Sequence, residues 1–311
     1  MKETAGRTAP KRGPRRTTFW AGAGLGGLLV GGAAVAALVV GSVVAPPVAP
    51  VAVADVKAAK VLNEAADAAL ASTSVVPADG QFLRIVDTRD YLVTDSVVRG
   101  EKVTKNAFRY QETDVLYVPA DRSQDWVYDF STPTKLTDWW GDDALGFEES
   151  VMAGYDYRET GIVRMPAGSR DGENPYFPYA DSYDEMPRDP QGLLDWFQQD
   201  TGLGAEYAAK HILDALAMNL PPADLRAALL QALALIPGFT VMAQEGGHTT
   251  LSRTYQDVEG RHLSQQFVID TDTGMILSFT DLGQEEPGSV VPSGEPYLVE
   301  TFSITVVDTA P

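Results

Sequence analysis

The chain has no cysteine, only three histidines, and not one charged residue between Arg16 and Asp55. The first absence excludes disulfides, thiolate metal sites and a cysteine nucleophile. It also removes the residue on which a lipoprotein carries its lipid. Without disulfides, an exported domain must stand on its own core, and the 78–311 segment is long enough to build one. The histidines, His211, His248 and His262, show no ligand spacing to one another, so no metal centre is expected and solvated or edge positions are. Also missing are a Gly-x-Ser-x-Gly elbow, a His-Glu-x-x-His pair, a phosphate loop and a dinucleotide fingerprint. No catalytic residue and no cofactor are therefore predicted.

The uncharged stretch is informative in its own right. Its apolar part runs from Phe19 to about Ala45, and about 20 apolar residues in a helix cross a bilayer core. Lys2, Arg7, Lys11, Arg12, Arg15 and Arg16 precede it against a single Glu3, and basic flanks stay cytoplasmic. The sequence predicts a basic cytoplasmic tail (1–18), a transmembrane helix (19–45), a Pro-rich stalk (46–54) and an extracytoplasmic domain (55–311). The expected topology is that of a single-pass cell-membrane protein with its C-terminal domain outside. A cleavable signal ending at Ala52-Val53-Ala54 is the rival, but signal cores span roughly 7–15 residues and this one is far longer. Gly22/Gly26 and Gly27/Gly31 have helix-pairing spacing, which an Ala/Gly-rich span produces without any pairing.

Acidic residues number 43 against 24 basic ones, a net charge of -19. That balance argues against nucleic acid or an anionic lipid surface as a partner. Asp55 to Ala71 reads as a helix with Asp55 as N-cap. The period then changes to two, over Phe82–Val93, Ala107–Val118 and Trp126–Phe130. Helical signals return with the Asp189-Pro190 start, then over Ala205–Leu216, then after Pro221-Pro222 until Pro237-Gly238. Strands close the chain around Thr240, Leu251–Tyr255, Leu263–Ile269, Met275–Phe279 and Tyr297–Val307. Asp270-Thr-Asp-Thr-Gly274 has the look of a calcium loop, but strands flank it and Asp281 stands where the bidentate glutamate belongs. A hairpin turn with left-handed Gly274 explains it. The predicted fold class is α+β, a curved antiparallel sheet packed against a helical block.

Between Asp138 and Asp189 the pattern is irregular and reads mostly as loop. It contains Trp139, Trp140, Tyr176, Phe177, Tyr179 and Tyr183, which form the candidate ligand-binding surface, since exposed aromatics mark recognition sites. Covering the mouth of the sheet is the bland alternative for them. The carboxylates there, Asp142, Asp143, Glu148, Glu149, Asp181, Asp184 and Glu185, are expected to be solvated, and weak cation binding is the alternative.

Three runs carry a resemblance: Met186-Pro-Arg-Asp-Pro-Gln-Gly-Leu-Leu, the segment from Leu220-Pro-Pro-Ala-Asp-Leu-Arg to Ile236-Pro-Gly-Phe-Thr-Val, and Phe267-Val-Ile-Asp-Thr-Asp-Thr-Gly-Met-Ile-Leu. They resemble a family of actinobacterial single-pass membrane proteins of uncharacterised function, often encoded beside extracytoplasmic-function sigma factors. The Asp138–Asp189 region departs from it. The resemblance implies a half-barrel like that of lipoprotein carriers and a periplasmic sigma-factor regulator, and it implies no catalytic residues. The expected function is a sensory or accessory domain of an envelope-stress system, not an enzyme. It would bind a lipid, peptide or protein, with an anti-sigma protein as a candidate partner, on the concave side of its sheet. A structural envelope protein without a small ligand, and a hydrolase using Glu148 and Asp184, are the alternatives.

Overall fold

A computed structural model describes residues 55–72, 76–99, 102–142, 146–149, 151, 161–167, 179–180, 182–201, 205–256, 262–283 and 289–311. The expected tail, transmembrane helix and stalk lie outside the described residues. No helix among the described residues is long and apolar enough to cross a membrane.

Helix α1 (Val56–Ala71) begins where expected, with Asp55 Oδ1 accepting the Lys57 N–H at 2.9 Å. Its buried face is mostly alanine: Ala58, Ala65, Ala66 and Ala69, with Val61 and Leu62. Small side chains let neighbours come close. The Asp270–Gly274 segment is a hairpin turn, with Gly274 at φ +67° and its N–H donating to Asp270 O at 2.8 Å. A Cβ on Gly274 would stand 2.4 Å from Ala65 O, so glycine is required there twice over, by conformation and by contact.

All strands among the described residues belong to one antiparallel sheet of ten: β1 (Phe82–Arg99), β2 (Lys102–Pro119), β3 (Asp125–Asp129), β4 (Lys135–Trp140), β5 (Ile162–Pro166), β6 (Phe239–Glu245), β7 (His248–Gln256), β8 (His262–Asp270), β9 (Met275–Leu282) and β10 (Leu298–Val307). The spatial order is β5-β3-β2-β1-β10-β9-β8-β7-β6, with β4 pairing the Ala107–Gln111 stretch of β2. The last strand thus returns to pair with the first, as the α+β order requires, and Ile85 meets Ile304 on one side and Leu116 on the other.

Among the described residues, the helices α2 (Pro190–Thr201), α3 (Ala205–Leu216) and α4 (Ala223–Leu235) lie between the two runs of strands in sequence. Asp189 caps α2, its Oδ1 accepting the Gly192 N–H at 2.7 Å. Helix α4 is the centre of the helical layer: it packs on α1, α2 and α3, and Leu225 through Ala234 are buried apart from Gln231. These helices cover one face of the sheet and share a core with Leu83, Ile85, Leu116, Phe267, Phe279 and Phe302. Asn219 locks the layer to the sheet, its amide donating to Ile276 O and accepting from Ile276 N, both at 2.7 Å.

Two expectations need correction. The region expected to be mostly loop after Asp138 contains the end of β4, a helical turn at 146–149 and strand β5. Strand β5 buries only Met165 among its five residues, so no alternating pattern marks it; its pairing with β3 makes it a strand. His211, expected to be solvated, is packed among rings. It stacks on Phe197 at 6.4 Å and shares a hydrogen bond with the Tyr179 hydroxyl through Nδ1.

Candidate functional site

The helix-bearing face of the sheet is not uniformly apolar. Along β1 the residues of that face run Leu83, Ile85, Asp87, Arg89, Tyr91; along β2 they run Val118, Leu116, Asp114, Glu112, Tyr110, Phe108. On β10 the row is Ile304, Phe302, Glu300, Leu298. Asp281 follows Phe279 on β9, Gln265 precedes Phe267 on β8, and Arg253 follows Leu251 on β7. Register brings the polar positions together: Asp87 faces Asp114, Arg89 faces Glu300, Asp281 faces Gln265, and Gln265 faces Arg253. A charged belt therefore crosses six adjacent strands. On one side of it lies the main core; on the other lies a separate apolar cluster of Phe108 and Tyr110 with Tyr91, Val93, Leu136, Phe147 and Val151.

Arg89 organises one end of the belt. It reaches Asp87 Oδ2 at 2.6 Å, Asp114 Oδ2 at 3.1 Å and Glu300 Oε1 at 3.2 Å. Tyr128 adds a hydroxyl donor to Asp114 Oδ2 at 2.5 Å. Burial alone would depress the guanidinium, but the attraction of Asp87 and its neighbours holds it well above its ordinary value. The carboxyls respond in the opposite direction. Burial raises Asp87, partly countered by Arg89. Burial, reinforced by Asp87, raises Glu300 well above the usual carboxylate range. The Asp87 and Glu300 carboxyls lie within hydrogen-bonding reach of each other, the geometry of two acids holding one proton.

Helix α3 covers the other end. Lys210 donates to Asp214 at 2.7 Å, and both face Asp281 and Tyr255. Burial pushes Asp281 up to about 6, with Lys210 opposing and Asp214 reinforcing the shift. Gln265 is hydrogen-bonded to the Asp281 carboxyl. Arg253 is 2% exposed and lies 4.7 Å from the Tyr255 ring centre and 5.8 Å from that of Phe239, a desolvated cation held on aromatic faces. Carboxyl groups outnumber cations across the belt. Solvent still reaches it, for the Arg89 and Glu300 side chains retain 21% and 17% exposure.

A cavity of about 350 Å³ lies on the opposite face of the same strands, lined by Thr88, Asp90, Arg109, Asp138, Glu295 and Thr301, among others. Its cation is fully engaged: Arg109 donates to Asp90 at 2.6 Å, Pro296 O at 2.6 Å and Glu295 at 3.2 Å. Those bonds tie the 295–296 segment to the sheet, and no fully buried polar side-chain atom among the lining residues named lacks a partner. The belt is the stronger candidate because its charges are buried where an apolar core would otherwise continue.

Of the aromatic residues expected to form a binding surface, the four that are described stand in different surroundings. Trp139, 55% exposed, and the half-buried Trp140 stand on β4, opposite Phe108 and Ala107 of β2. Tyr183 is in the main core beneath the helices, its hydroxyl 3.5 Å from Ala215 O. Tyr179 sits in the ring cluster with Trp196, Phe197 and His211. Tyr176 and Phe177 lie outside the described residues. Glu148 is half-buried in the 146–149 turn and Asp184 is exposed beside Tyr183. Among the described residues, no group of three acidic or histidine side chains is placed to hold a metal ion.

None of the belt residues figured among the candidates from sequence. A signal was present: on β1, β2 and β10 the inward alternation passes from aliphatic to charged and, on the first two, back to aromatic. Reading it requires knowing which strands are neighbours. Comparison with protein-family models, with curated proteins and with solved structures finds no match.

Proposed function

We propose that this chain is a membrane-anchored extracytoplasmic binding domain whose ligand site is the charged belt on the helix-bearing face of the sheet. The observation that carries the reading is the Asp87–Arg89–Glu300 group. Three charges sit in the interior rows of two paired strands, β1 and β10, yet two of them keep contact with solvent. A purely structural sheet would continue Ile85, Leu116 and Phe302 with more apolar side chains, because burying ions costs several kcal/mol each, roughly, even when they are paired. Anchoring rests on the Phe19–Ala45 segment and its basic flank. The connection to an extracytoplasmic sigma system, as a sensory or accessory component, is supported by the resemblance of the Leu220–Val241 and Phe267–Leu277 runs.

A thermal-shift panel on the full chain in mild detergent tests the reading, using lipids, short peptides and peptidoglycan fragments. A ligand at a hundred times its Kd stabilises by about 2.7 kcal/mol. That is about 5–10 °C for a domain of this size. The shift should disappear in Asp87→Asn. A panel without a shift, or a shift untouched by that substitution, would remove the belt as the site.

A further inference from the structure

The belt has an imbalance of hydrogen-bond donors. Three of its buried side-chain acceptors have no partner: Asp87 Oδ1, Asp281 Oδ1 and Gln265 Oε1. Asp87 is 1% exposed and Gln265 is 8% exposed, so water does not easily make good the deficit. Arg89, Lys210 and Arg253 are the nearby donors, and all are engaged, Arg89 with three carboxylates, Lys210 with Asp214 and Arg253 against the rings of Tyr255 and Phe239. Orphaned acceptors in an acid-rich setting call for something that brings N–H bonds and positive charge together.

We infer that the belt binds an ammonium or guanidinium group, which donates to Asp87, Glu300 and Asp281 and takes the place of the protons these carboxyls hold when the site is free. The inference rests on the belt being the ligand site. With no ligand, one proton held between Asp87 and Glu300 satisfies Asp87 Oδ1. A second, on Asp281, lets the acid and the Gln265 amide bond each other reciprocally. When a cation seats between Asp87 and Glu300, the shared proton leaves to solvent; one positive charge replaces another, and the charge of the pair is conserved. Binding is therefore coupled to pH. The groups facing these acids are Arg89 and Asp114 at Asp87; Arg89 and Asp281 at Glu300; and Lys210, Asp214, Tyr255 and Gln265 at Asp281. Arg89 and Lys210 oppose the incoming cation and limit the site to one such group. Affinity should rise as pH passes upward through about 6, where Asp281 ionises.

The test is isothermal titration of the full chain at fixed ionic strength, in two buffers of different ionisation enthalpy. The probes are n-butylammonium, N-ethylguanidinium, and tetramethylammonium, which carries the charge without an N–H. Spermidine and a terminally blocked Ala-Lys-Ala peptide separate a free amine from a peptide side chain as the source. The first two probes should bind with release of protons, and tetramethylammonium at least tenfold more weakly. Glu300→Gln should abolish binding, because its amide supplies Asp87 Oδ1 with a permanent donor; Asp87→Asn does the same from the other side and serves if the first variant fails to fold. Equal binding of tetramethylammonium, or no proton release, would overturn the inference. If the ammonium probes fail while an anionic or neutral ligand binds in a way Glu300→Gln abolishes, the cation assignment falls and the site stands. If Glu300→Gln alters the binding of no ligand, both fall.

Discussion

Replacing Asp281 by asparagine should make this protein more stable at neutral pH. Asp281 lies against Gln265 and is shifted from 3.8 to about 6. The folded state therefore binds its proton more tightly than the unfolded chain does. Stability from this group is fully present below pH 3.8, and it is lost as pH rises through about 6. The whole difference is about 3 kcal/mol, at 1.36 kcal/mol for each pH unit. Between pH 7 and pH 5 only about 1.3 kcal/mol of it returns, roughly 3–5 °C in Tm. Asparagine imitates the protonated acid: its amide donates to Gln265 Oε1 and its oxygen accepts from Gln265 Nε2. Asp281→Asn should then gain up to about 3 kcal/mol over the wild type at pH 7.5, with the advantage shrinking on acidification. Thermal unfolding followed by tryptophan fluorescence, for both proteins at steps from pH 5 to 8, gives the answer as a difference, so titrations common to both cancel. A variant less stable than the wild type at pH 7.5, or a difference that does not change with pH, would refute the account of Asp281 as a buried, proton-holding acid.

Other predictions concern the frame that positions the belt. Gly274→Ala forces a side chain into left-handed backbone and against Ala65 O and Ala69 Cβ, which should cost about 2–5 kcal/mol in chemical denaturation; a loss below 1 would mean that α1 and the hairpin are not in contact. Asn219→Ala strips both backbone groups of Ile276 of their partners and should cost about 3 kcal/mol. Trp139→Ala should change stability by no more than about 0.5 kcal/mol, whereas Phe108→Ala, fully buried beside it in the sheet, should cost about 3–5. The reverse ranking, read from midpoints in urea, would mean that the pairing of β4 with β2 is wrong.

Much of the fold was legible because local rules set it. Asp55 and Asp189 start helices through their own carboxylates, Gly274 closes a hairpin through its φ, and the inward alternation of Phe267, Ile269, Phe279 and Phe302 marks the faces of strands. The short elements β4 and β5 were hidden, since Lys135–Trp140 has no fully buried residue and β5 has one. Pairing with β2 and β3, a long-range property, makes them strands. The site was hidden for a related reason. Asp87, Glu300 and Asp281 are scattered over more than two hundred positions, each one an ordinary charged residue in an alternating strand, and only the register of β1, β10 and β9 sets them side by side. Aromatic density drew attention to Trp139, Trp140, Tyr179 and Tyr183 instead. At Tyr183 that density reflects core packing, and at Tyr179 it reflects a ring cluster around His211.

Native mass spectrometry of the full chain, purified in parallel as wild type and as Glu300→Gln from a host with an actinobacterial envelope, tests the central claim most directly. The account predicts a co-purifying species on the wild type that the variant lacks, with both proteins folded. The same bound species on both, or a bare mass for the wild type alongside unchanged responses to every added ligand, would contradict it.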